Sequence, residues 1–246
     1  MIELRTPQEK KALLPLFPAG ENPLLLSALL GAGGRAFASG ASAFVWARDF
    51  VFLAGPAEGA LFSQAAALLP PGFVTFSGPD AWLDAAMAWG AKEEMTRYDL
   101  MTPAAFDRPR LLSLARPPQG YDLLLGGGEM YARCREEAWS RDLVSAFPDA
   151  DSFQRSGLLA CAVEAGKPVS GCGVYARWGA GVEIEIDTHP LRRGQGLATA
   201  CGALFLLNCM DRGLRPHWDA MNETSLRIAQ TLGFGPARPY RAVCRR

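Results

Sequence analysis

The sequence predicts a layered α/β protein built in two parts. Three observations carry that expectation. The chain has 246 residues, 49% hydrophobic and 20% charged, which is long enough for one large or two small cores. Strand-like and helix-like segments alternate along most of it. A proline-rich stretch from Pro103 to Pro118 divides that alternation in two.

The composition also excludes several classes. So hydrophobic a chain is neither disordered nor fibrous. Its 25 Lys plus Arg balance 25 Asp plus Glu, so no strong positive field holds a phosphodiester backbone or an anionic bilayer nonspecifically. Neither nucleic acid nor membrane is expected as a partner. The longest uncharged run, Gly59 to Pro79, contains Pro70-Pro71, Gln64 and two serines, which break any spanning helix. Met1-Ile2-Glu3 followed by Thr6-Pro7-Gln8-Glu9 does not read as a leader. The expected location is the cytoplasm. Cys134, Cys161, Cys172, Cys201, Cys209 and Cys244 form no C-x-x-C pair, and only His189 and His217 could join them. Most of them read as buried apolar thiols, and no metal site is expected.

In order along the chain, Thr6 with Pro7 and Glu9 is a capping box opening a first helix. A second runs from Asn22-Pro23 to Gly31. Then follow a strand from Ala43 to Ala54, a helix from Gly59 to Leu69, a strand from Gly72 to Ser77, a helix from Asp80 to Trp89 and a strand from Glu93 to Met101. Beyond the prolines come a strand at Tyr121–Leu125 and a helix from Gly128 to about Ser145. A hairpin, Leu158–Glu164 and Val169–Arg177, turns at Ala165-Gly166-Lys167, and Val182–Thr188 is a further strand. The chain closes with a helix from Gly194 to Arg212, a strand near Pro216–Ala220, a helix at Glu223–Leu232 and a strand near Tyr240. The domain reading is residues 1–115 as an N-terminal α/β region and 116–246 as a second domain. Pro79 to Gly90 and Asn222 to Gly233 share one eleven-residue step ending in glycine. The two halves therefore read either as a distant internal repeat or as two α/β units sharing an order by chance.

The strongest chemical signal is Asp187-Thr188-His189-Pro190-Leu191-Arg192-Arg193-Gly194-Gln195-Gly196-Leu197-Ala198-Thr199. A strand ends, a turn carries two arginines, and two glycines open an apolar helix. The first amides of a helix lack partners and the macrodipole is positive there, so an anion is stabilised. No carboxylate lies between Asp187 and Asp211 to settle those amides. In the first half the matching turn is Gly55-Pro56-Ala57-Glu58-Gly59-Ala60, where arginine is absent and Glu58 would occupy or repel the anion. That half is expected to be silent. A phosphate loop of G-x-x-x-x-G-K-[ST] type is missing its Lys and its spacing. A dinucleotide fingerprint needs Gly or Ala where Thr199 stands, although Asp219 imitates its ribose-binding acid.

Arg193-Gly194-Gln195-Gly196-Leu197-Ala198 resembles the central motif of the GNAT superfamily of acyl-coenzyme A-dependent N-acyltransferases: Arg or Gln, two residues, Gly, one residue, Gly or Ala. Thr188-His189-Pro190 resembles the strand end before that motif, and Asn222-Glu223-Thr224-Ser225 with Leu232-Gly233-Phe234 resembles the second motif. The run from Glu183 to Phe234 is similar to a bacterial GNAT subfamily with an extended N-terminal region, and the clear resemblance covers about residues 120–245. It implies a GNAT-type fold in the C-terminal half; whether the N-terminal region is a degenerate repeat of that fold or an unrelated α/β unit stays open. It also implies acetyl-CoA as co-substrate, an amine acceptor that is a small molecule or a peptide, and direct attack in a ternary complex. By carry-over, amides from Gln195 through Gly196, Leu197 and Ala198 to Thr199 cradle the pyrophosphate, with Gly194 in the turn and Arg192 or Arg193 nearby. Strand atoms at Ile186 and Thr188 pair with the pantetheine arm. Asn222 and Ser225 face the thioester end or brace the loop beside it. One departure matters. Many members place a proton-donating Tyr seven residues after the second-motif Asn, where this chain has Ala229. A non-catalytic acyl-CoA-binding module therefore stays open as the alternative reading.

Acyl transfer needs a neutral amine, while a lysine-like ammonium titrates near a pKa of about 10.4, so a base is required. Glu183 and Glu185 alternate with Val182, Ile184 and Ile186, which puts both carboxylates on one strand face roughly 7 Å apart. Two such carboxylates on a partly buried face are expected to raise one another's pKa. Glu185, nearer the thioester end, is the preferred base and Glu183 the second. Asp219 could bind the amine substrate or cap the loop before Asn222. The N-terminal part would supply a wall of the acceptor cleft or a homodimer contact; the sequence leaves both open.

Overall fold

The computed structural model describes residues 1–17, 22–31 and 33–246. These form two compact units, Met1–Tyr98 with Pro239–Arg246, and Asp99–Arg238. Each unit is a mixed α/β layer.

Unit 1 begins with strand β1 (Ile2–Leu4), helices α1 (Pro7–Lys11) and α2 (Pro23–Leu30), and strands β2 (Arg35–Ser39), β3 (Ser42–Ala47) and β4 (Phe50–Ala54). The capping box at Thr6 and Glu9 forms as expected. Strands β1 to β4 run antiparallel in order. Helix α3 (Gly59–Ala66) then crosses to β5 (Val74–Ser77), which lies parallel to β4 over three residue pairs. After α4 (Asp80–Trp89) comes β6 (Glu93–Leu100). The last strand of the chain, β12 (Ala237–Arg245), pairs antiparallel with β5. Phe37, Phe44, Phe62, Phe76 and Trp82 pack between the sheet and α3 and α4 as one buried aromatic cluster.

Unit 2 repeats this topology. Helix α5 (Arg108–Leu114) comes first, then β7 (Asp122–Leu125), α6 (Gly128–Glu136), α7 (Ala150–Ser156), β8 (Leu159–Glu164), β9 (Lys167–Trp178) and β10 (Gly181–Thr188). Strands β7 to β10 run antiparallel in order. Helix α8 (Leu197–Asp211) crosses to β11 (Arg215–Ala220), parallel to β10, and α9 (Glu223–Leu232) follows. Helices α4 and α9 both span ten residues and stop at glycines with positive φ, Gly90 at 138° and Gly233 at 104°. The shared step read from the sequence is therefore a shared supersecondary unit.

Several elements differ from expectation. Ala43–Ala54 is two strands, because Arg48 takes a left-handed φ of 57° and reverses the chain between β3 and β4. The helix expected to reach Ser145 ends at Glu136; the Ser140 hydroxyl donates to the Cys134 carbonyl at 2.9 Å, and a 3-10 turn at Arg141–Val144 follows. The proline-rich stretch contains α5, started by Asp107, whose carboxylate accepts from the Arg110 amide. The unit division falls at Tyr98/Asp99 and again at Arg238/Pro239, whereas the sequence reading drew one boundary at 115/116. The difference arises because α5 packs on α8 and because β12 completes the first sheet.

Candidate active site

Helix α8 is buried along most of its length, Leu197, Ala200, Cys201, Ala203, Phe205 and Leu206 among its core residues. A helix apolar on nearly every side must be covered on several. Strands β8, β9 and β10 cover one side, and α5 and α9 others. That burial fixes where its N-terminus points.

The start of α8 is the exposed turn Arg193–Gly196. Gly194 and Gly196 hold left-handed φ values of 77° and 79°, with open space where a Cβ would project. Gly196 is the N-cap, so no side chain settles the first-turn amides. Tyr121 donates its hydroxyl to Gln195 Oε1 at 2.8 Å, tying the turn to the start of β7. Ala198 and Thr199 are half-buried in the first turn, beside buried Leu197.

Both arginines have partners. Arg192 places Nε and Nη2 on Glu164 Oε2 at 3.0 and 2.7 Å, and this contact raises its pKa. Arg193 reaches back to β10, with Nε on the Thr188 carbonyl at 3.1 Å and Nη2 on Asp187 Oδ1 at 3.2 Å. The Thr188 amide also donates to Asp187 Oδ1, at 2.6 Å. The amide and carbonyl of Thr188, one of the two strand positions expected to pair with a pantetheine arm, are thus both engaged within the chain. Thr188 is itself buried, its hydroxyl 2.7 Å from that of Ser170.

Beside this turn the sheet forks. Strand β10 pairs with β11 only over Gly181–Glu183 against Arg215–His217. Ile184 to Thr188 and Trp218 to Ala220 continue past that ladder, with α8 packed against both strands. The Ile186 side chain lies toward Gly202 of α8, so Glu183, Glu185 and Asp187 take the opposite face. On that face Gly173, opposite Glu185, lets the Leu143 carbonyl approach where a Cβ would collide. Glu185 and Asp219 are half-buried on the diverging strands.

The two glutamates are not an equivalent pair. Glu183 is 5% exposed, with Oε2 2.7 Å from His217 Nδ1. His217 Nε2 lies 3.2 Å from Asp99, which also accepts from Arg238 at 2.8 Å. Burial on its own pushes the His217 pKa down, but the charges and hydrogen bonds of Glu183 and Asp99 outweigh it and raise it to about 10. The bond from His217 leads the causes that lower the Asp99 pKa. Glu183 is thus committed to a buried ion pair with His217. Sequence reading missed this network; its only local trace was a histidine on β11, and Asp99 lies more than a hundred residues away.

Asn222 caps α9, its Oδ1 accepting from the Ser225 amide at 2.9 Å, and Ser225 Oγ accepts from Trp218 Nε1 at 3.0 Å. These contacts brace the loop between β11 and α9. Ala229 is fully buried. Burial raises the Cys201 thiol to about 12, which removes it as a nucleophile. Among the described residues no group of three or more His, Cys, Asp or Glu is placed to hold a metal ion.

The matching region of unit 1 is filled. Trp82 stands at the position of Ser225 in the shared step, is fully buried, and donates its indole N–H to the Gly55 carbonyl at 2.9 Å. Glu58, at the N-cap of α3, accepts from the Ser39 hydroxyl.

A forked parallel pair beside an uncapped, glycine-bracketed helix, preceded by an antiparallel meander, is the architecture of an acyltransferase fold; a dinucleotide fold would need a doubly wound parallel sheet. The sequence profile of GNAT acetyltransferases matches residues 14–243, and the chain belongs to that family. A GCN5-related N-acetyltransferase-like protein from Streptococcus suis is 32% identical, with 97% of this chain and 99% of that one covered and a TM-score of 0.85. A tandem GNAT protein from the clavulanic acid biosynthesis pathway is 17% identical, covering 98% and 94% at a TM-score of 0.60. A GCN5-related N-acetyltransferase from Kribbella flavida is 17% identical, covering 92% and 95% at 0.57. The last two are likenesses of fold. No curated protein matches the chain.

Proposed function

We propose that this protein is an acetyl-CoA-dependent N-acetyltransferase that acts on a primary amine of a small molecule or peptide. The observation that carries the reading is the uncapped start of α8 beside the β10–β11 fork. Backbone amides from Gln195 to Thr199 bind the diphosphate, helped by the helix dipole and by Arg193, while Arg192 holds the turn to Glu164. The pantetheine arm lies in the fork along Ile186 and Thr188.

Glu185, or a water it holds, takes the proton of the acceptor ammonium, and Asp219 helps to place that cation. The neutral nitrogen attacks the thioester carbon and a strand amide of β10 stabilises the oxyanion. The carbon–sulfur bond then breaks as the attacking nitrogen releases its second proton to water and the amide forms. With Ala229 in place of a tyrosine, coenzyme A departs as a thiolate; a thiol with a pKa of about 8.5 makes that departure feasible. No metal takes part. The free, buried cysteines favour a reducing compartment such as the cytoplasm, and no described helix is long and apolar enough to cross a membrane.

The test is coenzyme A release from acetyl-CoA with a panel of amines, alongside Arg193→Glu. Turnover on at least one amine, with coenzyme affinity lost in the variant, is the expected result. Tight binding without turnover on any acceptor would favour a non-catalytic acyl-CoA-binding module, the reading to which Ala229 lends weight. Undiminished affinity in Arg193→Glu would remove the placement.

A further inference from the structure

The two arginines of the α8 turn are held differently. Arg192 sets two nitrogens on one oxygen of Glu164 and its side chain is 34% exposed. Arg193 makes a longer contact to Asp187, at 3.2 Å, and its side chain is 61% exposed. An ion pair that open to water is weak and screened by salt, so it exchanges readily. Its acid partner sits at the end of β10, only a few residues from the helix N-terminus, where a diphosphate would bring more negative charge and more acceptor oxygens than one carboxylate.

We propose that Asp187 is a positioning residue for the coenzyme site: its carboxylate stands in for the diphosphate, holds Arg193 before the coenzyme arrives and yields it on binding. The exchange accounts for a second observation. Arg193 Nε covers the carbonyl of Thr188, a residue along which the pantetheine arm is proposed to lie; moving the guanidinium to the diphosphate uncovers that carbonyl in the same step. Arg192 does not follow, because its bonds to Glu164 anchor the turn to β8. Asp187 keeps the bond from the Thr188 amide throughout, and the Ser170–Thr188 hydroxyl pair steadies the strand end.

This inference rests on the proposed coenzyme site, and calorimetric titration of free coenzyme A separates the two. Asp187→Asn retains an acceptor for the Thr188 amide and removes only the charge. It is expected to bind coenzyme A about two- to five-fold more tightly than wild type, the range of an exposed ion pair. Arg193→Ala is expected to bind more weakly, and adding Asp187→Asn to it should bring no gain. Unchanged or weaker binding in Asp187→Asn overturns the exchange. So does undiminished binding in Arg193→Ala, or an equal gain in both backgrounds, which would make Asp187 a repelling charge and nothing more. A wild-type protein that binds no coenzyme A instead sinks the coenzyme site and the exchange together.

Discussion

His217→Gln tests the buried network at the base of the fork. The side chains of His217 and Glu183 are 15% and 7% exposed, so the substitution leaves a carboxylate out of water without its cation. Breaking a buried pair in this way costs about 3–5 kcal/mol. The rise of the His217 pKa from 6.5 to about 10 gives a similar figure, since each unit is worth about 1.4 kcal/mol. A folded pKa above the unfolded one means that the contribution is complete below pH 6.5, declines as the pH rises, and is gone above pH 10. The charged groups on the imidazole are Glu183 from β10 and Asp99 from the end of β6, with Arg238 behind Asp99. Urea denaturation of wild type and variant at pH 6, 7, 8, 9 and 10 should show a gap of about 5 kcal/mol at pH 6 that closes by about 1.4 kcal/mol per unit above 6.5. Adding Glu183→Gln to the variant should restore much of the loss, because the stranded charge is gone. A gap that stays flat from pH 6 to pH 10 would refute the ion pair.

Three further outcomes are expected. Glu185→Gln should lower kcat about a hundredfold or more while leaving coenzyme affinity intact, as read by steady-state kinetics and calorimetry. Gly173→Ala drives a Cβ into the Leu143 carbonyl and should cost about 1–3 kcal/mol, seen as a lower melting temperature. Trp82→Ala should cost about 3–5 kcal/mol by emptying the core of unit 1, and calorimetry should still find one coenzyme A per chain.

The parts of the fold legible in the sequence were those with local signals. Helices α4 and α9 were bounded correctly because apolar spacing ends at Gly90 and Gly233, and the capping box at Thr6 is self-contained. The β3–β4 reversal was hidden because a left-handed arginine, with no glycine, makes the turn. Helix α5 was hidden because Pro109 resembled a linker residue, although Asp107 followed by a first-turn proline is a helix-start signal. In the site, the uncapped α8 start could be read from Gly194 and Gly196. The commitment of Glu183 to His217 could not, because it depends on β11 lying beside β10 and on Asp99 arriving from far along the chain. A partner for Arg193 within six residues was closer to reach, since a turn that reverses direction brings Asp187 back toward it.

Strand β12 gives the molecule an unusual order of assembly. The sheet begun by residues 1–98 borrows its ladder on β5 from residues 239–246, and the whole of unit 2 lies between them. During synthesis the portion made first waits with a bare β5 edge while the portion made second completes its own sheet, so nascent-chain protection should favour the later region. A loop closure that long is entropically slow, and an unpaired edge is open to strands of neighbouring molecules in the meantime. Overproduction at high concentration would then fail by strand exchange through the N-terminal half.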